Sequence, residues 1–224
     1  MKRSRLRWIR VLLTVGVCAV LAAADSGCSL LSNAIWMATD GKDTPAEYKK
    51  HDGLSGKRVA VVCRAAQDLS LGDHDVPRNL AKLIGQKLQA NVAKLRLVSQ
   101  AEVEDWADND PDLDYGELRE KLRADVVVGV DLASFSLQQD PTVYLGQADI
   151  LIRVYDVADG GQMTWDKSLP AANFPSTGPE PPTGPEGPFR NKFRRQFAEV
   201  LADEIARLFY AHDSREDFAR SLDR

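Results

Sequence analysis

The stretch ADVVVGVDL, residues 124–132, carries the strongest fold signal in the chain. Its four closely spaced valines favour a strand, because β-branched side chains pack well on a pleated surface. The stretch has too few polar residues for a strand with one face in water, so it predicts a central, buried strand. Residues 57–64, KRVAVVCR, follow a Ser-Gly turn signal and predict a second, largely buried strand.

Helical periodicity appears between these two strands. Residues 76–92 place apolar side chains three and four positions apart, which predicts an amphipathic helix. Residues 95–98 predict a short strand. Ser99 and Glu102 have the spacing of a capping box, so a short helix is expected to start there and run through Trp106.

A hairpin is predicted in the second half of the chain. Residues 147–157 alternate between apolar and polar side chains, the pattern of a strand with one buried face. Asp-Gly-Gly at 159–161 supplies a tight turn. Residues 162–167 then form the returning strand, with Met163 and Trp165 expected on the same side.

A proline-rich segment precedes the last predicted helix. Seven of the eleven prolines fall within residues 170–188, interleaved with glycines. Proline lacks a backbone N–H to donate to a sheet, so an extended loop is expected there. Phe189, Phe193 and Phe197 then begin a stripe at helical spacing that continues to Leu208 and predicts a long amphipathic helix covering a sheet.

These elements define an α/β fold class. We expect a single domain at residues 56–211, with a mixed sheet of about five strands flanked by amphipathic helices. Residues 28–55 read as a tether, and residues 212–224 as a charged tail.

The first 27 residues have the composition of a bacterial export signal. Five basic residues are followed by an uncharged run at residues 11–24. That run is shorter than the roughly 20 apolar residues of a spanning helix, so it predicts a cleaved signal peptide. Ala-Ala-Ala at 22–24 would suit an ordinary signal peptidase, whereas the Ser-Gly that precedes Cys28 resembles the lipobox of bacterial lipoproteins.

Lipidation of Cys28 is the expectation we favour, although Asp25 occupies a position that is usually apolar in a lipobox. Removing five basic residues and one acidic residue with the signal takes the formal charge from -4 to -8. An acidic chain disfavours nucleic acid as a partner and leaves the lipid as the membrane anchor. Ser29 favours the outer membrane, on its periplasmic side. Cys63 lies in a predicted strand, where a buried thiol is expected.

Several stretches together resemble a known group of proteins. They are LSGKRVAVV at 54–62, LVSQ at 97–100, LRADVVVGV at 122–130, IRVYDV at 152–157 and MTW at 163–165. This pattern resembles the periplasmic lipoprotein domains related to the curli secretion protein CsgG, the exopolysaccharide lipoprotein PelC and the N-terminal domain of TolB. The resemblance implies a non-enzymatic part of an envelope secretion or assembly machine, often a ring. No connection is long enough for the membrane-spanning hairpins of pore-forming members, so an accessory role is expected.

We therefore predict a non-enzymatic envelope lipoprotein that binds envelope proteins or glycans, with homo-oligomers among its assemblies and without metal or cofactor. Aromatic and proline side chains are the candidate partner surface, because aromatics dominate interface energetics and long ordered loops are often functional. These candidates are Trp106, Tyr144, Phe174, Pro181 and Pro182.

Two alternatives stay open at this point. The first is a lipid-anchored hydrolase or metal-dependent enzyme that uses Asp73, His74 and Asp75, which are metal-compatible side chains without the spacing of a zinc site. The second is a soluble secreted binding protein, produced if the signal is cleaved without lipidation.

Overall fold

The computed structural model describes residues 43–49, 53–65, 73, 75–109, 121–158 and 160–213 of the 224-residue chain. Cys28, the signal peptide, His74 and nearly all of the predicted tail lie outside the described residues. The chain divides into one compact unit of residues 44–212 and 216–224 and another of residues 1–43 and 213–215. Of the second unit, the structure describes only Asp43 and Asp213.

Strands and helices alternate in the first half of the chain, and antiparallel strands follow. The strands are β1 (Asp43–Thr44), β2 (Arg58–Ala65), β3 (Arg96–Leu97), β4 (Val126–Asp140), β5 (Val143–Asp156), β6 (Gln162–Phe174) and β7 (His212–Asp213). The helices are α1 (Val76–Asn91), α2 (Gln100–Asn109) and α3 (Glu186–Arg207). β1 and β7 form a separate two-stranded sheet.

The main sheet has five strands in the order β3-β2-β4-β5-β6. β2 pairs parallel to both β3 and β4, whereas β4–β5 and β5–β6 are antiparallel. The predicted α/β class and mixed sheet are therefore confirmed, and the valine-rich strand is central, as expected. Val127, Val128 and Val130 are completely buried.

Each face of the sheet carries its own apolar core. The larger core joins the sheet to α1 and α3, and includes Ile84 and Phe197. The smaller core lies under α2 and includes Ala60, Val127 and Trp106. Burial on both faces explains why β2 and the first part of β4 have nearly continuous apolar sequences.

The capping box of α2 forms as the sequence predicts. The Glu102 backbone N–H donates to the Ser99 hydroxyl oxygen at 3.2 Å, and the Ser99 N–H donates to the Glu102 carboxylate at 3.3 Å. These two bonds satisfy backbone donors at the start of the helix, which have no partner within the helix itself. They fix α2 over the smaller core.

β4 and β5 form a hairpin, whereas the sequence predicts two separate strands at 124–132 and 147–157 with no pairing between them. Both strands extend past the predicted ends and meet at a tight turn. In that turn an Asp140 carboxylate oxygen accepts hydrogen bonds from the backbone and hydroxyl of Thr142, both at 2.7 Å, and from the Val143 N–H at 3.1 Å. The hydrogen bonds from Thr142 lower the pKa of the Asp140 carboxyl.

The prediction that Met163 and Trp165 share a side of their strand is wrong. Val154 pairs with Trp165, but the next residue, Tyr155, pairs with Met163. One extra β6 residue therefore lies opposite β5, and such a bulge reverses the alternation of side chains. Trp165 packs on the larger core, while Met163 is 53% exposed.

A second bulge explains how Pro170 joins the sheet. Ala148 pairs with Ala172, whereas Ile150 pairs with Leu169, so two β6 residues lie opposite one β5 residue. β6 is also the edge strand. Edge strands and bulges are the places where a sheet accepts proline, because neither requires its missing N–H.

The predicted loop at residues 170–188 is consequently wrong at both ends. β6 continues to Phe174, and α3 begins at Glu186. Pro188 fits the first turn of α3, where the backbone N–H has no partner within the helix anyway. The loop between them, residues 175–185, is called the Pro–Gly loop below.

The domain begins earlier than predicted. Tyr48 and Leu54, both placed in the expected tether, are each only 1% exposed and belong to the larger core. The compact unit starts at Thr44. The expectation of a tether up to residue 55 is therefore wrong for its final part, whose two apolar side chains were too few to give a periodic signal.

Candidate interaction surface

The Pro–Gly loop is tied to the sheet by its backbone. The Tyr144 N–H donates to the Glu180 carbonyl at 2.8 Å, and the Glu180 N–H donates back to the Tyr144 carbonyl at 2.9 Å. Within the loop the Gly178 N–H donates to the Pro175 carbonyl at 3.2 Å. The loop is thus fixed near its middle as well as at its two ends.

Aromatic side chains pack between the sheet and α3 at the two ends of the Pro–Gly loop. This loop cluster consists of Phe135, Tyr144, Phe174, Phe189, Phe193 and Phe197. Phe174 stacks on Phe197 with ring centroids 5.9 Å apart, and Tyr144 meets Phe189 edge to face at 4.8 Å. Aromatic pairs at such distances add about 0.5–1.5 kcal/mol each beyond simple burial. They stabilise the strand and helix from which the loop leaves.

A glycine allows the loop cluster to pack closely against β5. A Cβ atom placed on Gly146 would lie 2.7 Å from the Phe197 ring. That separation is shorter than any van der Waals contact, so a larger residue would push the helix away from the sheet.

The predicted surface residues fall into three groups: buried, partly buried and exposed. Trp106 is 4% exposed and Tyr144 is 1% exposed, so the prediction that they form a partner surface is wrong. Both face an apolar core, which is the common environment of large aromatics. Phe174 is partly buried and anchors the Pro–Gly loop from inside. Pro181 and Pro182 are exposed, and their contact with a partner stays a prediction.

The outer part of the Pro–Gly loop has a restricted conformation. Proline fixes its own φ angle and also drives the preceding residue towards extended or polyproline II geometry. The sequence from 179 to 185, PEPPTGP, therefore has little freedom, and Pro185 adopts φ -57° and ψ 134°. Those angles lie in the polyproline II region. The prolines at 179, 181, 182 and 185 are exposed.

Asp73 and Asp75, two of the three residues in the metal-site alternative, are bound by arginines. Arg194 donates to both carboxylates, at 2.9 Å to Asp73 and 3.0 Å to Asp75. Arg190 donates to the other oxygen of Asp73 at 2.9 Å. Both Asp73 oxygens are thus engaged, and this link holds the segment before α1 against α3. His74 lies outside the described residues.

A groove of about 540 Å³ runs beside this ionic cluster, between α1 and α3. Val76, Leu83 and Ala198 supply its apolar residues, and Lys82 and Arg195 are among its polar ones. Its mixed lining, with acidic as well as basic side chains, selects no single ligand class.

Cys63 has the properties expected of a structural cysteine. Burial raises the pKa of its thiol, and the negative charge of Asp131 raises it further. The thiol is therefore protonated at neutral pH. Because only the thiolate is a good nucleophile, Cys63 is a poor one.

No helix in the described ranges is both long and apolar enough to cross a membrane.

No protein-family model and no curated protein sequence match the chain. Among solved structures, the PelC dodecamer from Paraburkholderia phytofirmans is 11% identical, with a TM-score of 0.40 and coverage of 70% of this chain and 91% of that one.

Two bacterial lipoproteins give similar results. A lipoprotein from Neisseria meningitidis is 12% identical, with a TM-score of 0.39, over 66% of this chain and 99% of that one. A minor lipoprotein from Acinetobacter baumannii is 12% identical, with a TM-score of 0.34, over 67% and 90%. The α/β assignment itself rests on the strand order and registers given above.

Proposed function

We propose that this chain is a membrane-anchored, non-enzymatic lipoprotein of the bacterial envelope, acting as an accessory of secretion, transport or envelope assembly. The lipobox-like Ser-Gly before Cys28, placed after a basic and apolar signal, is the observation that carries the proposal. The lipid holds the protein at the membrane, with the outer membrane and its periplasmic side as the proposed site.

The Pro–Gly loop is the proposed contact with a partner. Its prolines at 179, 181, 182 and 185 are exposed, and the loop is fixed near its middle by the Tyr144–Glu180 bridge and at its ends by the loop cluster. A segment that is already ordered loses little conformational entropy on binding. Polyproline-type segments bind grooves lined by aromatic side chains, so an envelope protein with such a groove is the proposed partner, ahead of a glycan.

The early start of the domain limits how far it reaches from the membrane. If Cys28 carries the lipid, Thr44 lies 16 positions after it in the chain. At about 3.5 Å per extended residue, this spacing permits at most about 55 Å, against about 95 Å for the longer tether expected from sequence. The protein therefore acts close to its own membrane.

Metabolic labelling with palmitate tests the anchor. We expect label in the wild-type protein and none in Cys28→Ser, with the variant recovered from the soluble periplasmic fraction. An unlabelled wild-type protein would refute the anchor and favour the secreted alternative.

Photo-cross-linking in cells tests the loop. A photoreactive residue at Pro182 is expected to capture an envelope protein that the same residue at the exposed Gln89 of α1 does not. The Pro181→Ala, Pro182→Ala double variant serves as competitor, and overexpressing it should leave the cross-link intact, whereas the wild-type chain should compete. Equal yields at residues 182 and 89 would count against the loop as the contact. A capture of copies of this chain would instead identify a homo-oligomer.

A further inference from the structure

The groove between α1 and α3 has a mixed lining, but its charges are not equally available to a ligand. Its acidic residues are Asp75 and Glu199. Both carboxylate oxygens of Asp75 accept hydrogen bonds, one from Arg194 at 3.0 Å and the other from Asn79 at 3.2 Å. The Glu199 carboxylate pairs with the Lys87 ammonium at 3.2 Å. Each acidic side chain of the lining is therefore already bound by a cation of the protein itself.

The basic residues of the lining are Lys82, Arg194 and Arg195. Arg194 is occupied, since it donates to the carboxylates of Asp73 and Asp75. Lys82 and Arg195 are exposed, and neither has an ion pair or a hydrogen bond to a described residue. The charges left for a ligand are thus two cations, one on each helix. They form a local positive site on a chain whose formal charge is -4.

Two ion pairs hold the walls of the groove in place. Arg194 of α3 binds Asp75, which immediately precedes α1, and Lys87 of α1 binds Glu199 of α3. The free cations lie between these pairs in the sequence of each helix. The groove is therefore formed before any ligand arrives, and binding loses little free energy in ordering it.

The rest of the lining combines an apolar floor with carboxamides. Leu83 is partly buried and Ala198 is 5% exposed. The side-chain N–H groups of Gln86 and Asn191 donate to no described residue. Carboxamides both donate and accept hydrogen bonds, so they match the groups of a peptide backbone. The volume of about 540 Å³ lies within the range of about 300–1,000 Å³ that is usual for ligand sites.

We propose that this groove binds an acidic segment of a partner protein. Carboxylates of the segment pair with Lys82 and Arg195, and its backbone carbonyls accept hydrogen bonds from the free carboxamides. Clusters of basic side chains are an established means of recognising acidic motifs. The site is separate from the Pro–Gly loop and does not depend on a lipid at Cys28.

The arrangement favours a peptide over other anions. Sugar-binding sites commonly stack sugar rings on aromatic side chains, and none of the described residues that line the groove is aromatic. A single phosphate group is best held by donors that converge on one point, whereas Lys82 and Arg195 stand on different helices. A chain that carries several carboxylates matches two separate cations better.

Fluorescence anisotropy tests the site. Full-length protein in a non-ionic detergent is titrated with fluorescein-labelled oligoglutamate. The double variant Lys82→Glu, Arg195→Glu is expected to bind at least about tenfold more weakly, because it replaces two attractions by two repulsions. The matched control, Lys49→Glu with Lys94→Glu, changes the net charge equally at exposed positions outside the groove. It should bind within about twofold of wild type at physiological salt, which screens distant charges.

A variant that keeps every charge separates the groove from its charges. Ala198→Leu extends the floor into the groove and should weaken binding several-fold, because the segment then no longer fits. Circular dichroism and urea unfolding confirm that each variant is folded.

Four results would overturn the proposal. The first is that oligoglutamate does not bind the wild-type protein, and the second is that the groove variant and the charge-matched control weaken binding equally. The third is unchanged affinity in Ala198→Leu, which would assign the binding to surface charge alone. The fourth is tighter binding of polygalacturonate than of oligoglutamate, which would assign the groove to an acidic glycan.

Discussion

Two aromatic clusters lie on the same face of the sheet, one at each end of α3, and they hold their surroundings differently. The loop cluster joins three neighbouring strands, β4, β5 and β6, to the face of a long helix. The clasp cluster, which consists of Tyr48, Trp165 and Phe209, joins the end of that helix and β6 to residues 44–49, called the clasp. We therefore expect loss of the loop cluster to disturb the whole domain, and loss of the clasp cluster to release residues 44–49 while the sheet stays folded.

The largest effect is expected from Phe197→Ala in the loop cluster. Phe197 is completely buried, so truncation leaves a cavity between helix and sheet. Such substitutions cost about 3–5 kcal/mol. Urea unfolding followed by tryptophan fluorescence should show this loss, with a smaller loss for Phe189→Ala, whose side chain is only partly buried. A cost below that of Phe189→Ala would mean that the loop cluster does not unite the domain.

Tyr48→Ala should act locally. Truncation removes a buried side chain, and for a large apolar group this costs about 2 kcal/mol of stability. The total loss of stability cannot exceed the free energy with which the clasp binds the rest of the domain. Hydrogen exchange should accelerate at the Glu47 and Tyr48 amides, which bond to Leu208, and remain slow in β4. Tyr48→Phe, which keeps the ring, is the matched control. Faster exchange throughout β4 would show that the clasp belongs to the global folding unit.

The same contrast explains what the sequence could and could not predict. The loop cluster draws on Phe189, Phe193 and Phe197, which repeat every four residues, so helical periodicity predicts their shared face. The clasp depends on contacts such as Lys167 with Glu47, which are 120 residues apart. No local pattern encodes such a pairing, and a single buried Tyr48 in a polar stretch has no period.

Bulges set a second limit. A strand pattern assumes strict alternation, so it predicts the wrong face for Met163 when β6 contains one extra residue. Proline predicts a loop, although a bulge in an edge strand can contain it. The prediction of the partner surface has a different ambiguity. The residue type alone does not distinguish a core position from an interface position for Trp106 and Tyr144, because aromatic side chains are enriched in both environments.

Gly146→Ala is expected to have an intermediate effect on the loop cluster. The added methyl would lie 2.7 Å from the Phe197 ring, so the ring or the helix must shift. Overpacking of a core costs about 1–3 kcal/mol. Thermal unfolding should show a lower midpoint than for Gly184→Ala, a loop position with open space around its Cβ. An unchanged midpoint would show that Phe197 can move away without loss.

Tyr144→Phe should be neutral or stabilising by up to about 1 kcal/mol. The Tyr144 hydroxyl is buried and has no hydrogen-bond partner among the described residues, and an unsatisfied buried hydroxyl is costly. The ring contacts to Phe189 and Phe193 are retained in the variant. A clear loss of stability in urea unfolding would indicate that the hydroxyl is hydrogen-bonded in solution, for example to an ordered water.

The smallest effect is expected from Lys167→Met, which removes the ion pair to Glu47 and keeps most of the side-chain length. The two side chains are 38% and 47% exposed, and pairs this accessible to water contribute about 0.2–1 kcal/mol, decreasing with salt. The stability difference from wild type should shrink between low and high salt in urea unfolding. The Tyr48→Ala difference should persist, because apolar burial is not screened. If Lys167→Met instead cost as much as Tyr48→Ala, charge and not the aromatic contacts would hold the clasp, and high salt would release it.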